Sequence, residues 1–275
     1  MTRIWTTLGW LCWLTAACAG PAQQQCSLAG HTRMHAHNDY NRARPLFEAL
    51  EQGASSVEAD VFLSDGVLLV GHDRSQRTAA LSLEALYLRP LYQLWQHQGR
   101  VVPSACAVEL LLLIDVKAEP EACYVALKGL LERYSGMLTQ VRAGKLYPGA
   151  VRIVISGERP TRTMAAEPDL LAGYDGRVLE HEASVSAQLM PLVSEQWSRL
   201  FSWTGAGPLP VGERDRLRAI VAEAHARGRV VRFWATPDVT SVWHELLSAG
   251  VDYINTDSLY ALRTFLRDRA RATSP

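Results

Sequence analysis

Apolar and polar residues change places along this chain with two periods. A period of two, the mark of a strand with one buried face, runs through 32–37, 55–63 and 67–72; Leu46, Phe47 and Leu50 recur at helical spacing within 44–52 and are closed by Gly53. Ser64-Asp65-Gly66 reads as a tight turn between the second and third strands. Residues 81–97 form a long amphipathic helix that Pro90 should kink or split. The run 109–116, ELLLLIDV, is almost continuously apolar, as expected of a strand covered on both faces. A helix over 119–141 follows, then a strand at 151–156 and weaker ones at 171–178 and 200–203. The chain closes with a helix at 213–227, a strand at 230–235, a helix at 239–249, a strand at 251–255 and a basic C-terminal helix.

Roughly eight strands alternating with helices is the rhythm of a (β/α)8 barrel, with a doubly wound open sheet as the alternative. The polar residues favour the barrel. His37, Glu58, Asp60, His72, Asp115, Lys117, Ser156, Trp234 and Asp257 fall at or near the C-terminal ends of predicted strands, which a barrel gathers at one mouth. No glycine-rich nucleotide fingerprint supports the open sheet.

Because residues i and i+2 of a strand share a face, His35 and His37 point together, as do Glu58 and Asp60, while Val57, Ala59 and Val61 take the opposite face. Imidazoles beside paired carboxylates can hold a hard divalent cation and move protons around it. Twenty-eight basic residues balance twenty-eight acidic ones, so nothing suggests nucleic acid as a partner.

The first residues read as an export signal: Arg3, then a short apolar run over 4–14, then TAACAG. Cleavage after Ala19 follows the small-x-small rule. The alternative is an imperfect lipobox, with a signal over 1–17 and a lipidated Cys18 anchoring the chain to a membrane. The expected organisation is thus a signal at 1–19, a polar linker at 20–30 and one barrel domain at 31–275, exported to the periplasm, secreted or tethered to the envelope. Of the cysteines beyond the signal, Cys106 and Cys123 flank one predicted strand and are the expected pair, leaving Cys26.

HAHNDY, RPLFEAL, SVEADV, LLVGHD, LLIDVK, FWATPD and GVDYINTDSL, in that order, resemble the PLC-like phosphodiesterase superfamily, which includes glycerophosphodiester phosphodiesterases and phospholipases C. Within it they are similar to the branch named after the fungal altered-inheritance-of-mitochondria protein. The resemblance implies a TIM barrel that cleaves a small-molecule or lipid phosphodiester with Mg²⁺ or Ca²⁺. It implies His37 and His72 as catalytic histidines, with His35 the alternative to His37; Glu58, Asp60 and Asp115 as metal ligands, which Asn38 could join; and Lys117, His35 and Trp234 toward the substrate. The H-R-G and E-N-T patterns of glycerophosphodiesterases are missing, so attack by a neighbouring substrate hydroxyl to give a cyclic phosphate stays beside direct hydrolysis. The alternative function is a barrel that binds phosphoesters without turnover.

Overall fold

The computed structural model describes residues 33–73, 81–102, 109–180 and 184–273. The expectations for the signal, the linker, Cys18, Cys26 and Cys106 lie outside the described residues. The elements in order are β1 (Arg33–Ala36), α1 (Phe47–Gln52), β2 (Ser56–Ser64), β3 (Val67–Val70), α2 (Arg89–Gln98), β4 (Leu110–Val116), α3 (Pro120–Glu132), β5 (Gln140–Arg142), β6 (Lys145–Tyr147) and β7 (Val151–Gly157). They continue with α4 (Thr161–Ala165), β8 (Gly173–Arg177), β9 (Leu192–Gln196), α5 (Trp197–Leu200), α6 (Val211–Ala226), β10 (Val230–Trp234), α7 (Thr240–Ala249), β11 (Tyr253–Thr256) and α8 (Leu259–Thr273).

Eight parallel strands close into a barrel in the order β1-β2-β4-β7-β8-β9-β10-β11, with β11 pairing back onto β1. The pleat divides each strand between two environments. On β4, Leu110, Leu112 and Ile114 face outward into the main core with Val57, Ala59, Val61, Ile153 and Ile155. Leu111 and Leu113 face inward and join Val154, Leu192 and Tyr253 in a small second core at the floor of the barrel. Both faces of β4 are therefore dry, which explains its continuous run of leucines.

Three expectations are corrected. The third strand, β3, is antiparallel to β2 and stands outside the barrel. Ser64 pairs with Val67 across Asp65 (φ 49°) and Gly66 (φ 77°), a two-residue turn with positive φ at both positions that reverses the chain. The helix expected over 119–141 stops at Glu132; a short 3-10 turn at Ser135–Met137 follows, and then the β5–β6 hairpin. The strand expected at 200–203 is instead β9, eight residues earlier, and the short helix α5 fills the gap. The helix that carries Pro90 is continuous but changes type at the proline, a π-helical turn at Glu84–Leu88 running directly into α2 at Arg89. Among the described residues no helix is long and apolar enough to cross a membrane. Cys123 is buried, with Sγ 3.2 Å from Ala118 O.

Candidate active site

Strand register sets the inward polar residues in tiers. Low in the barrel, His35 lies level with Ser56 on one neighbour and Asn255 on the other, and Arg232 lies level with Ser194 and Tyr253. Two inward positions up, with Glu58 between, Asp60, Asp115 and Ser156 are level across β2, β4 and β7.

The lower tier is a closed, buried network. Arg232 Nη1 lies 2.5 Å from His35 Nε2, 2.9 Å from Glu58 Oε2 and 3.3 Å from Asn255 Oδ1, while His35 Nδ1 is 2.7 Å from Ser56 Oγ. Burial, reinforced by Arg232, lowers the His35 pKa to about 4, so the ring is neutral, with Nε2 set between the guanidinium and Glu58 Oε2, 2.9 Å away. Burial alone would make Glu58 hold its proton, but Arg232 and His35 outweigh it and keep the carboxyl well below the usual range. His35 is thus placed beneath the carboxylates, with both ring nitrogens engaged, rather than on the wall of the mouth. It can orient Glu58.

Glu58 joins that network to the level above: its carboxylate, Asp60 and Asp115 can each offer an oxygen within 4.8 Å of the others. Lys117 Nζ bridges two of them, 2.8 Å from Asp60 Oδ2 and 2.9 Å from Asp115 Oδ1. Burial lowers the affinity of Lys117 for its proton, yet Asp115 and Asp60 raise it by more, and the ammonium stays charged. Burial, helped by Asp60 and Glu58, lifts the Asp115 carboxyl above its ordinary value despite the lysine. Three acids crowded round one cation leave room for another positive charge. Asp60 makes the same point: Oδ2 is reached by Lys117, His72 and Tyr40, whereas Oδ1 is buried without a hydrogen-bond partner among the described residues. Oxygen donors around such an orphaned atom fit a hard divalent cation.

Gly157 makes this crowding sterically possible. It ends β7 at φ 67°, and a Cβ there would stand 2.5 Å from Asp115 Oδ1 and 2.4 Å from Val116 O.

The two histidines of the mouth are each held through Nδ1 by a carboxylate. His37 Nδ1 is 2.9 Å from Asp257 Oδ1, and His72 Nδ1 is 3.1 Å from Asp60 Oδ2. His72 reaches the mouth because β3 returns alongside β2: Gly71 N donates to Asp60 O, which brings the next residue back over the acids. The β1–α1 loop that carries His37 is fixed by Asp39, fully buried, which accepts from Leu46 N (2.6 Å) and the Tyr87 hydroxyl (3.0 Å). Asn38 sits in the left-handed region at φ 44° with Oδ1 3.0 Å from the Tyr40 hydroxyl, and Trp234 ends β10 half-buried.

Sequence reasoning missed Arg232 and Tyr40. Arg232 shares the inward face of its strand with Trp234, and an arginine inside VVRFW was a readable signal. Tyr40 stood in the HNDY motif. A further inward cluster was also missed: Asp175 accepts from Ser156 Oγ, Ser194 Oγ and Arg177 Nη1 across β7, β8 and β9.

A solved glycerophosphodiester phosphodiesterase from Parabacteroides distasonis ATCC 8503 has the same fold, with a TM-score of 0.52 over 87% of this chain and 98% of that one at 16% identity. The model of the AIM6-like phosphodiesterase domain matches residues 29–170, and that of the glycerophosphoryl diester phosphodiesterase family matches residues 230–260. Among curated relatives, altered inheritance of mitochondria protein 6 of Eremothecium gossypii is 30% identical, covering 85% of this chain and 69% of its own length. Its homolog in Arthroderma benhamiae is 26% identical over 84% of this chain and 83% of its own. The chain belongs to the AIM6-like phosphodiesterase domain family.

Proposed function

We propose that the chain is a divalent-metal-dependent phosphodiesterase that cleaves a glycerophosphodiester or phospholipid-type P–O bond. The observation that supports this best is the pairing of two histidines with carboxylates through Nδ1. Neither Nε2 has a partner among the described residues, and both open on a mouth floored by Lys117 and three acids.

A phosphodiester is anionic and repels nucleophiles, so the site must offset its charge and manage two protons. Glu58, Asp60 and Asp115 would hold Mg²⁺ or Ca²⁺, with Asn38 at the rim; the bound ion supplies charge neutralisation at the phosphoryl oxygens. Lys117 adds a second positive charge to the phosphate. His37 Nε2 takes the proton of the attacking hydroxyl, and Asp257 steadies the imidazolium that results. As the bond from phosphorus to the attacking oxygen forms and that to the leaving oxygen breaks, His72 Nε2 gives its proton to the leaving oxygen. Asp60, accepting from His72 Nδ1, pairs with the imidazolium that carries a proton on each nitrogen before the transfer and fixes the ring's orientation. Tyr40 donates to Asp60 Oδ2; burial and the adjacent Asp60 hold its phenol protonated. His35 and Arg232 act from below by fixing Glu58.

The test is turnover of bis(p-nitrophenyl) phosphate and glycerophosphocholine with Mg²⁺ or Ca²⁺ by the parent chain, His37→Ala and His72→Ala. Loss of nearly all turnover in both folded variants supports the assignment; parental turnover in either one removes it.

A further inference from the structure

Ser156, level with Asp115 near the end of β7, takes no part in the chemistry above, and neither do the inward polar residues of β8 and β9. Asp175 and Arg177 share the inward face of β8, and Ser194 and Gln196 that of β9. Asp175 is fully buried, and its Oδ2 accepts from Ser156 Oγ at 2.9 Å, Ser194 Oγ at 2.6 Å and Arg177 Nη1 at 2.6 Å. That anchor fixes the last side chain of β8 at the C-terminal end of the barrel. Arg177 Nη2 lies 3.3 Å from Ser156 Oγ, so the guanidinium leans over β7, toward the strand that carries Asp115. Its side chain is 17% exposed, and its Nε has no hydrogen-bond partner among the described residues. The Gln196 carboxamide and Trp234 Nε1, register partners at the ends of β9 and β10, are half-buried and have none either.

The mouth thus has two unlike halves. Histidines, acids and Lys117 come from the side of β1 to β4; β8, β9 and β10 end in a guanidinium, a carboxamide and an indole with N–H groups unspent. Burial works against the charge of Arg177, yet Asp175 and the acids near it more than offset this, and the guanidinium stays charged. Glu180, just beyond β8, is spent on Arg159, whose Nη2 is 3.0 Å from both of its oxygens. We propose, taking the reaction from the proposed function and the contact from this arc, that Arg177 and Gln196 form a subsite for a second anionic group of the substrate, a carboxylate or a phosphomonoester, on the arm that lies across the mouth from Lys117. A guanidinium already fixed by a buried carboxylate is preorganised to donate to an oxyanion. A quaternary ammonium arm would meet the guanidinium charge, and a neutral polyol would leave that charge unanswered.

The test uses the full chain with Mg²⁺ or Ca²⁺ and p-nitrophenyl phosphodiesters that share one leaving group and differ in the second arm: ethyl, 2-trimethylammonioethyl, 3-carboxypropyl or 2-phosphonooxyethyl. Against the ethyl ester, kcat/KM should be about tenfold or more higher for an anionic arm and lower for the trimethylammonio arm; the larger of the two anionic gains tells carboxylate from phosphomonoester. Removing Arg177 alone would leave Asp175 buried and unpaired, so the main variant is Asp175→Asn/Arg177→Gln, which removes both charges. The anionic preference should vanish in it, weaken in Gln196→Leu and largely survive in Arg177→Lys. A parent without anionic preference overturns the subsite, as does full preference kept by the folded double variant or by Gln196→Leu. Equal losses on all four esters would assign the cluster to support of the fold and overturn it as well. If the parent hydrolyses none of the esters, the phosphodiesterase reading fails, and calorimetry with the same esters as unreacted ligands decides the subsite: tighter binding of an anionic ester than of the ethyl ester sustains it, and equal binding overturns it.

Discussion

Replacing Arg232 by methionine keeps most of the side-chain volume and removes the charge. Glu58 is then left 5% exposed with His35 as its remaining neighbour of that network, and three contacts of Nη1 disappear, to His35, Glu58 and Asn255. Breaking a buried ion pair from one side costs about 3–5 kcal/mol, because the remaining charge stays desolvated. His35 moderates this. Arg232 is the second cause, after burial, of its lowered pKa, so without the guanidinium the ring accepts a proton more readily and can donate to Glu58. The expected loss is therefore about 3 kcal/mol at pH 8, shrinking toward pH 6. Urea unfolding in excess chelator measures it, alone and in a cycle with Glu58→Gln. The double variant should recover about 1–3 kcal/mol relative to the sum of the singles. A single variant as stable as the parent, or strict additivity across the cycle, would refute the picture of a charge pair that sustains the floor of the site.

Three further outcomes follow from the same geometry. His35 takes up its proton at about pH 4 in the folded chain against 6.5 when unfolded, so the unfolded state binds more protons as the solution acidifies. Stability of the metal-free chain should fall across that window by up to about 3 kcal/mol, and His35→Gln should flatten the slope in a pH series of unfolding curves. Gly157→Ala drives a Cβ against Asp115 and strains a positive φ, so it should lower stability by about 1–3 kcal/mol and weaken Mg²⁺ binding in calorimetry; unaltered binding would show that Asp115 does not need its place against β7. Asp257→Asn should leave the melting temperature unchanged, since that side chain is 75% exposed, yet cut turnover by about tenfold or more by loosening the His37 ring.

Where the pattern had a clear period, the sequence was sufficient. Alternation on β2 put Glu58 and Asp60 together facing inward, and the run of leucines on β4 led straight to Asp115 and Lys117. The barrel's weaker half was harder to read because its inward face is polar. Asp175 and Arg177 on β8 and Ser194 and Gln196 on β9 replace the apolar residues that mark a strand, and the second of these was sought too late in the chain. The direction of β3 was available in principle, since Asp65-Gly66 is a hairpin signal, but the alternation of strand and helix concealed it. The depth of His35 relative to His37 was out of reach. Two residues on one strand face lie about 7 Å apart along the strand, and only closure of the barrel shows that one is sealed beneath the acids while the other meets solvent.

The central claim is that the mouth carries out metal-dependent phosphodiester cleavage. Phosphorus NMR of a phosphodiester panel incubated with the parent chain tests it most directly, run with Mg²⁺ or Ca²⁺, with chelator, and with the metal restored. A new phosphomonoester or cyclic phosphate resonance is expected that appears with metal, stops forming with chelator and resumes when metal returns. Product formation indifferent to chelator, or no product from any member of the panel, would contradict it.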